Sequence, residues 1–363
     1  MAPLKFGLIG CGRIAEANHI PEILSLGKKA VVTAMFDTQK GKAEALAGKF
    51  KLTPKFCKTL DELLASDIDA VMIATPNVYH CEQTLAALNA GKHVLVEKPM
   101  ASSLEEADKM IDLAAKKGLV LQVNQSLRYH APYKKIKELI DGGVIGKPLH
   151  ARCLRASNAS PDVNWSPGAT WFVQKKYKGS LVTDIAVHMA DALYWFFGPV
   201  EGIMAKTRCL SHEVPDNVVA LFTFQNGASA VLELSWTFPK SSSAFEIYGE
   251  DGYISIGTEG IEIWKKGVEK PRLVQYASIK KVPNSHAEFI KAVAEGGKYH
   301  WKFGRGALAL CMAILESSSR KESVVPKFRA VPEASGPKKE AAKKAPAKKA
   351  GAKPSGKTAA KKK

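Results

Sequence analysis

The hydrophobic positions of this chain change rhythm once. Over residues 1–122, short apolar runs alternate with stretches at helical spacing. Leu4 to Ile9 reads as a strand, as do Ala30 to Phe36, Ala70 to Ala74, His93 to Val96 and Leu119 to Val123. Between the later runs, Tyr79 to Ala90 and Leu104 to Lys117 repeat as helices and stop at Gly91 and Gly118. Strand–helix alternation with glycine stops predicts a parallel sheet covered by helices. Ligands of such sheets bind at the carboxyl ends of the strands. Polar residues gather at those ends: Asp37, Thr75-Pro76-Asn77 and Glu97-Lys98.

From about residue 145 a period of two takes over. Strand-like runs are Leu149 to Arg155, Ile203 to Arg208, Val218 to Phe224, Ala228 to Trp236, Ala244 to Tyr248, Tyr253 to Ile256 and Ile261 to Trp264. A helix, Ser180 to Phe197, interrupts early, and helical spacing returns at Ser285 to Ala294 and Gly306 to Ser318. This predicts an α+β domain with a large, mostly antiparallel sheet. Helices can cover one face, which leaves the other open for assembly into a homo-oligomer. The expected domains are 1–122, 123–332 and a tail, 333–363.

The first strand runs into Gly10-Cys11-Gly12-Arg13-Ile14-Ala15, a G-x-G-x-x-A turn that opens a helix. The first glycine permits the tight turn. The second lets backbone amides approach a pyrophosphate, and the small third residue lets helix and strand pack closely. The second strand ends at Asp37, where a carboxylate would accept hydrogen bonds from an adenosine ribose. This context predicts a parallel Rossmann domain binding a dinucleotide, NAD before NADP, because Asp37 would repel a 2′-phosphate. Taken alone, the motif also fits a turn that holds no phosphate.

Composition leaves this picture standing and adds the tail. The 363 residues are 46% hydrophobic and 24% charged, an ordinary globular balance. No apolar run approaches the roughly 20 residues of a membrane span. The first strand begins almost at Met1, so no signal peptide is expected. Six scattered cysteines without a C-x-x-C pair read as reduced thiols of a cytoplasmic protein. The formal charge is +18, and residues 333–363, with eleven lysines and two glutamates, carry half of it. Their Lys/Ala/Pro repeats have nothing to bury, so the tail is expected to be disordered. It could attract nucleic acid or another polyanion weakly, or serve only as a solubilising segment.

Two further features carry candidate chemistry. Lys98 closes the Glu97-Lys98-Pro99 segment at a strand end, where an ammonium could polarise a substrate oxygen. By itself it also reads as a surface lysine. Asp184 and His188 lie four apart in a helical stretch and would share a face. An imidazole there can move a proton near neutral pH, oriented by a carboxylate, or can be a packing histidine. The pair offers too few ligands for a metal.

Together these features identify a resemblance. The Gly10-x-Gly12-x-x-Ala15 turn, Ala74-Thr75-Pro76-Asn77 with His80, Glu97-Lys98-Pro99, Arg128-Tyr129-x-x-Pro132 and the Gly179 to Asp191 segment occur in order. His286-Ala287-Glu288-Phe289 and Ala309 to Ser317 follow as later landmarks. The chain resembles the glucose–fructose oxidoreductase / inositol dehydrogenase / MocA (Gfo/Idh/MocA) family over residues 4 to 326, leaving the tail out.

The resemblance implies hydride transfer between a nicotinamide and a hydroxyl carbon of a sugar or polyol. It implies Lys98 and His188 in proton transfer, with Asp184 as partner of His188 or acceptor for a substrate hydroxyl. It places Gly10, Cys11, Gly12, Arg13, Ile14 and Asp37 on the cofactor. Thr75, Pro76, Asn77 and His80 would run along it, and Glu97 would lie beneath the nicotinamide ribose. Members often carry two or three glycines where Lys178-Gly179-Ser180 stands, and a bulkier or basic residue near Ser126-Leu127. The stretch Arg155 to Trp171, with Trp165, reads either as a sugar-binding loop or as an irregular surface loop. Two other functions stay open: an NAD-retaining glycosidase of the same superfamily, and a non-catalytic sensor with a polyanion-binding tail.

Overall fold

A computed structural model describes residues 2–297 and 300–330. The basic tail expected at 333–363 lies outside the described residues.

The first sheet consists of β1 (Leu4–Ile9), β2 (Ala30–Phe36), β3 (Lys55–Phe56), β4 (Ala70–Ile73), β5 (His93–Val96) and β6 (Leu121–Val123). Its order is β3-β2-β1-β4-β5-β6, and every pairing is parallel. β4 is buried at all four positions, as a strand covered on both faces must be. The sequence reads there as an unbroken apolar run for the same reason. The order reverses between β1 and β4, which opens a crevice at their carboxyl ends. The helix Leu104–Lys117 has the limits its sequence predicts. Ser103 Oγ accepts a hydrogen bond from the Glu106 amide at 3.2 Å, and Gly118 closes the helix at φ 66°.

The second sheet contains β7 (Pro148–Ala156), β8 (Val200–Arg208), β9 (Asn217–Phe224), β10 (Ser229–Ser235), β11 (Ser242–Gly249), β12 (Gly252–Ile256), β13 (Gly260–Lys265) and β14 (Arg272–Gln275). Its order is β14-β13-β12-β11-β7-β10-β9-β8. β7 and β10 run parallel, and the other pairs are antiparallel. Along β9 burial alternates at every residue, the pattern of a sheet with one covered face. The helices Val187–Phe197 and Lys302–Arg320 pack on that inner face. Val219 and Leu221 stand exposed on the other.

The structure departs from the sequence reading in several places. Helix Ala131–Asp141 and strand β14 were not anticipated; β14 has no buried position to mark it. The helix expected from Ser180 begins instead as a π turn, Val182–Ala186. The C-terminal helices also do more than cover the second sheet. Phe289 and Ala292 enter the core around Phe6 and Ile20, and Trp301 and Leu308 enter that around Val94 and Val123.

Candidate active site

At the end of β1, Gly10 takes φ 90°, and a Cβ there would fall 2.7 Å from the Ala74 carbonyl oxygen. Only glycine fits both the turn and the neighbouring strand end. A Cβ on Gly12 would meet nothing within 4 Å, so the open side of the turn is clear for a bound group. Asp37, beyond β2, accepts hydrogen bonds from the backbone amides of Cys11 and Gln39, each at 2.8 Å. Lone pairs remain for ribose hydroxyls. The Cys11 thiol is buried, and burial with the Asp37 charge pushes its pKa up to about 12. Cys11 therefore contributes its backbone, not its sulfur. Ile14 is half-buried on the first helical turn.

Lys98 and Asp184 come together from the two halves of the chain. Lys98 Nζ donates to Asp184 Oδ1 at 2.8 Å and to the Asp184 carbonyl oxygen at 2.9 Å. Both side chains are mostly buried, at 16% and 14% exposure. The orientation of His188 by Asp184, expected from their spacing, does not occur in the geometry. No hydrogen bond or ion pair joins them among the described residues. The wider π turn around Asp184 rotates it out of the i,i+4 alignment and toward Lys98. His188 keeps Nδ1 closed off without a partner, which leaves Nε2 as the nitrogen open to a substrate. Burial, then the charges of Lys98 and Arg155, hold this imidazole well below its ordinary pKa. It is neutral near pH 7 and able to accept a proton.

Two expected cofactor residues turn inward. His80 is buried, with Nδ1 at 2.8 Å from the Pro99 carbonyl oxygen and Nε2 at 2.8 Å from that of Thr75. Both ring nitrogens face backbone carbonyls; the ring, kept neutral by burial, donates its one N–H to one of them and so ties His80 to a strand-end loop. Glu97 is buried too. Its Oε1 accepts from Asn124 Nδ2 at 2.6 Å and stands 3.1 Å from His19 Nε2. Burial alone would raise the Glu97 carboxyl, but His19, Asn124 and Lys98 together lower its pKa to about 2. Arg128 is equally internal: it makes a paired contact with Asp191 at 2.8 Å on both branches.

The loop after β7 reaches back over the glycine turn. The Arg13 guanidinium lies 5.2 Å from the centroid of the Trp165 ring. Trp165 therefore sits by the glycine turn, and Arg155 is close enough to act on His188 electrostatically. Asn77 Nδ2 donates to the Lys178 carbonyl at 3.0 Å. Lys178 takes φ 53°, the left-handed conformation that a glycine would adopt at lower cost. Thr75 Oγ1 donates to Gln83 at 2.6 Å beside the half-buried Pro76.

Sequence reasoning missed Asn124, Gln125 and His19. Gln125 is 1% exposed with both side-chain polar atoms unpartnered, and Asn77 Oδ1 and Asn124 Oδ1 are orphaned likewise. Buried polar atoms without partners call for a ligand or water. These line up at the ends of β4 and β6, and with the open Gly12 turn they fit the polar groups of a dinucleotide. Among the described residues no cluster of three or more metal-ligating side chains occurs. No helix there is long and apolar enough to cross a membrane.

Comparison with known proteins agrees with this geometry. Residues 4–125 match the oxidoreductase family with an NAD-binding Rossmann fold, and residues 133–255 match the GFO/IDH/MocA C-terminal domain. The 1,5-anhydro-D-fructose reductase of Ensifer adhaerens is 33% identical over 254 residues, covering 68% of this chain and 74% of the relative. The D-glucoside 3-dehydrogenase of Escherichia coli is 30% identical over 256 residues, covering 65% and 71%. Among solved structures, the WlbA dehydrogenase from Bordetella pertussis in complex with NADH and UDP-GlcNAcA matches with TM-score 0.77 at 26% identity, covering 90% of this chain and all of that one. A levoglucosan dehydrogenase bound to NADH and L-sorbose shares the fold at TM-score 0.80 and 24% identity, covering 91% and 100%.

Proposed function

Since the chain belongs to the Gfo/Idh/MocA family of NAD-binding oxidoreductases, we propose that it oxidises or reduces a hydroxyl-bearing carbon of a sugar or polyol. The observation that carries the reading is the meeting of Lys98 with Asp184, close to a neutral His188, at the carboxyl ends of the first sheet. Nicotinamide, when bound, supplies the hydride chemistry. Gly10, Gly12, Asp37, Asn77 and Asn124 would hold the dinucleotide. Lys98, anchored by Asp184, would place its ammonium on the substrate oxygen and steady the charge that develops there. His188 Nε2 would take the hydroxyl proton on oxidation and return it on reduction. Arg155 would line the substrate side.

The preference for NAD over NADP rests on Asp37. Relatives that act on anhydro sugars and glucosides set the substrate panel. The purified protein is incubated with NAD⁺ and free, anhydro- and glucosidic sugars, and reduced cofactor is followed by absorbance. Nitrophenyl glycosides run in parallel. Release of nitrophenol without net reduction would replace this reading with the glycosidase. Six free cysteines fit a reducing compartment such as the cytoplasm. Assembly would use the open face of the second sheet, and the basic tail would meet polyanions electrostatically.

A further inference from the structure

The connection 209–216 between β8 and β9 closes around one carboxylate. Asp216 is fully buried, although Leu210, Ser211 and Glu213 around it stand exposed. Its oxygens accept the backbone amides of Leu210 at 2.9 Å, Ser211 at 2.7 Å and His212 at 3.1 Å, and Asn217 Nδ2 at 3.0 Å. His212 Nδ1 stands 3.1 Å from the same carboxylate, and that ring meets Trp236 edge-on. The Asp216 backbone is fixed as well. Its amide donates to the Arg208 carbonyl at 3.0 Å, and its carbonyl accepts from the Trp236 amide at 2.9 Å. Burial opposes the charge, but the Leu210 and Ser211 amides, with Asn217 and His212, outweigh it and hold the carboxyl below its ordinary pKa.

Burying an ion is costly even when it is fully hydrogen-bonded, and a connection between two paired strands closes without one. What the cage adds is a rigid outer edge. There the Pro215 carbonyl accepts from the Leu181 amide at 2.9 Å, and Glu213 Oε2 accepts from the Lys175 amide at 3.1 Å. Val214, between them, is buried. Leu181 is the residue from which the π turn Val182–Ala186 starts, and the Asp184 amide donates to the Ser180 carbonyl at 2.9 Å. The opposite flank of this segment is tied by Asn77 to the Lys178 carbonyl.

We propose that Asp216 is a positioning residue for the reaction: by caging the 209–216 connection it fixes the Leu181 amide, and with it the π turn that delivers Asp184 to Lys98. The proposal rests on the Lys98–Asp184 reading above. Amides at the start of a helical stretch have no partner within it, so an outside acceptor decides how the first turn is wound. A π turn is the less favoured winding and persists where its surroundings hold it. Released from Pro215, the segment is free to close to ordinary helical pairing. That turns Asp184 back toward His188 and away from Lys98. Asp216 thus acts on Lys98 only through the main chain and Asp184.

The test is a double-variant cycle. Asp216→Asn keeps the shape of the side chain and turns one acceptor into a donor that faces backbone amides. It should lower kcat/KM by up to about 10²-fold, the effect of a misplacement of about 1 Å, with NADH affinity retained. Because the effect runs through Asp184, the double variant with Asp184→Asn should be no slower than Asp184→Asn alone. Losses that multiply would mark Asp216 as merely structural and overturn the proposal. Hydrogen exchange, measured well below melting, reads the clamp without activity. The Leu181 amide should exchange faster in Asp216→Asn, and unchanged protection would overturn the clamp. If Asp184→Asn keeps parental turnover while Leu181 loses protection, the failure belongs to the Lys98–Asp184 reading and the clamp stands. Should Asp216→Asn not fold, His212→Ala removes one contact of the cage at a half-buried ring. It should show the same loss of Leu181 protection and of kcat/KM to a smaller degree, and parental values of both would overturn the proposal.

Discussion

Asp184→Asn isolates what the carboxylate does for Lys98. The substitution keeps the side-chain shape and a hydrogen-bond acceptor, and the Asp184 carbonyl still takes the ammonium at 2.9 Å. What is lost is the charge. With an effective dielectric constant of about 20, attraction across the 2.8 Å contact is roughly 6 kcal/mol. Desolvation of two mostly buried ions cancels a large part, so the net loss is set at about 3 kcal/mol, the low end for breaking such a pair. If that energy aligns the ammonium in the transition state, turnover falls about 10²-fold. The assay is steady-state reduction of NAD⁺ with the sugar found active. NADH binding, followed by fluorescence, and thermal melting serve as controls. The expected result is a large fall in kcat/KM with NADH affinity retained. Parental kcat/KM in the variant would show that the backbone carbonyl positions Lys98 unaided, and the reasoning would fail.

His188→Ala should lower turnover about 10²–10⁴-fold. Because the imidazole is held below its ordinary 6.5, it stays neutral as pH falls through that value. The acid limb of the parental kcat/KM profile should therefore lie below pH 6.5, and a limb at or above it would refute the assignment. Asp37→Ala should narrow the preference for NAD over NADP, helped by Lys42, whose Nζ lies 3.9 Å from Asp37; parental kinetics that already favour NADPH would remove Asp37 from this role. Leu221→Glu places a charge on the exposed face of β9, where Leu221 is 44% accessible. It should reduce the mass seen by light scattering, and an unchanged mass would put the interface elsewhere. Deletion of residues 333–363 should abolish salt-sensitive DNA retardation and leave sugar oxidation intact. Equal retardation by the truncated chain would dismiss the tail as the polyanion site.

How much was legible depended on the range of the interaction. β4 and the helix Leu104–Lys117 are written locally, in an apolar run and in the caps Ser103 and Gly118. The glycine turn is local too, and Gly10 meets a strand end that its motif implies. Asp184 and His188 were visible as residues, but their relation depended on a π turn, which leaves no periodic signature. His80 has a conspicuous place in its motif, yet its ring is enclosed between two backbone carbonyls that no spacing reveals. His19 and His286 are 267 positions apart. Only folding makes them neighbours, and neither sits in a pattern that names the other.

The return of the C-terminal helices to the first sheet sets an order of events during synthesis. Phe6 belongs to β1, and its ring packs 5.8 Å from that of Phe289. Val123, in β6, lies so close to Gly304 that a Cβ there would come within 2.3 Å of it. Ribosomes add roughly 5–20 residues per second, so β1 waits on the order of tens of seconds for its cover. Throughout that interval the nucleotide-binding half is a sheet with an uncovered flank, a substrate for holding chaperones and for proteases. Nonsense mutations as late as the codons for Ser285–Glu295 would thus strike the earliest part of the chain, although every one of its residues had been made.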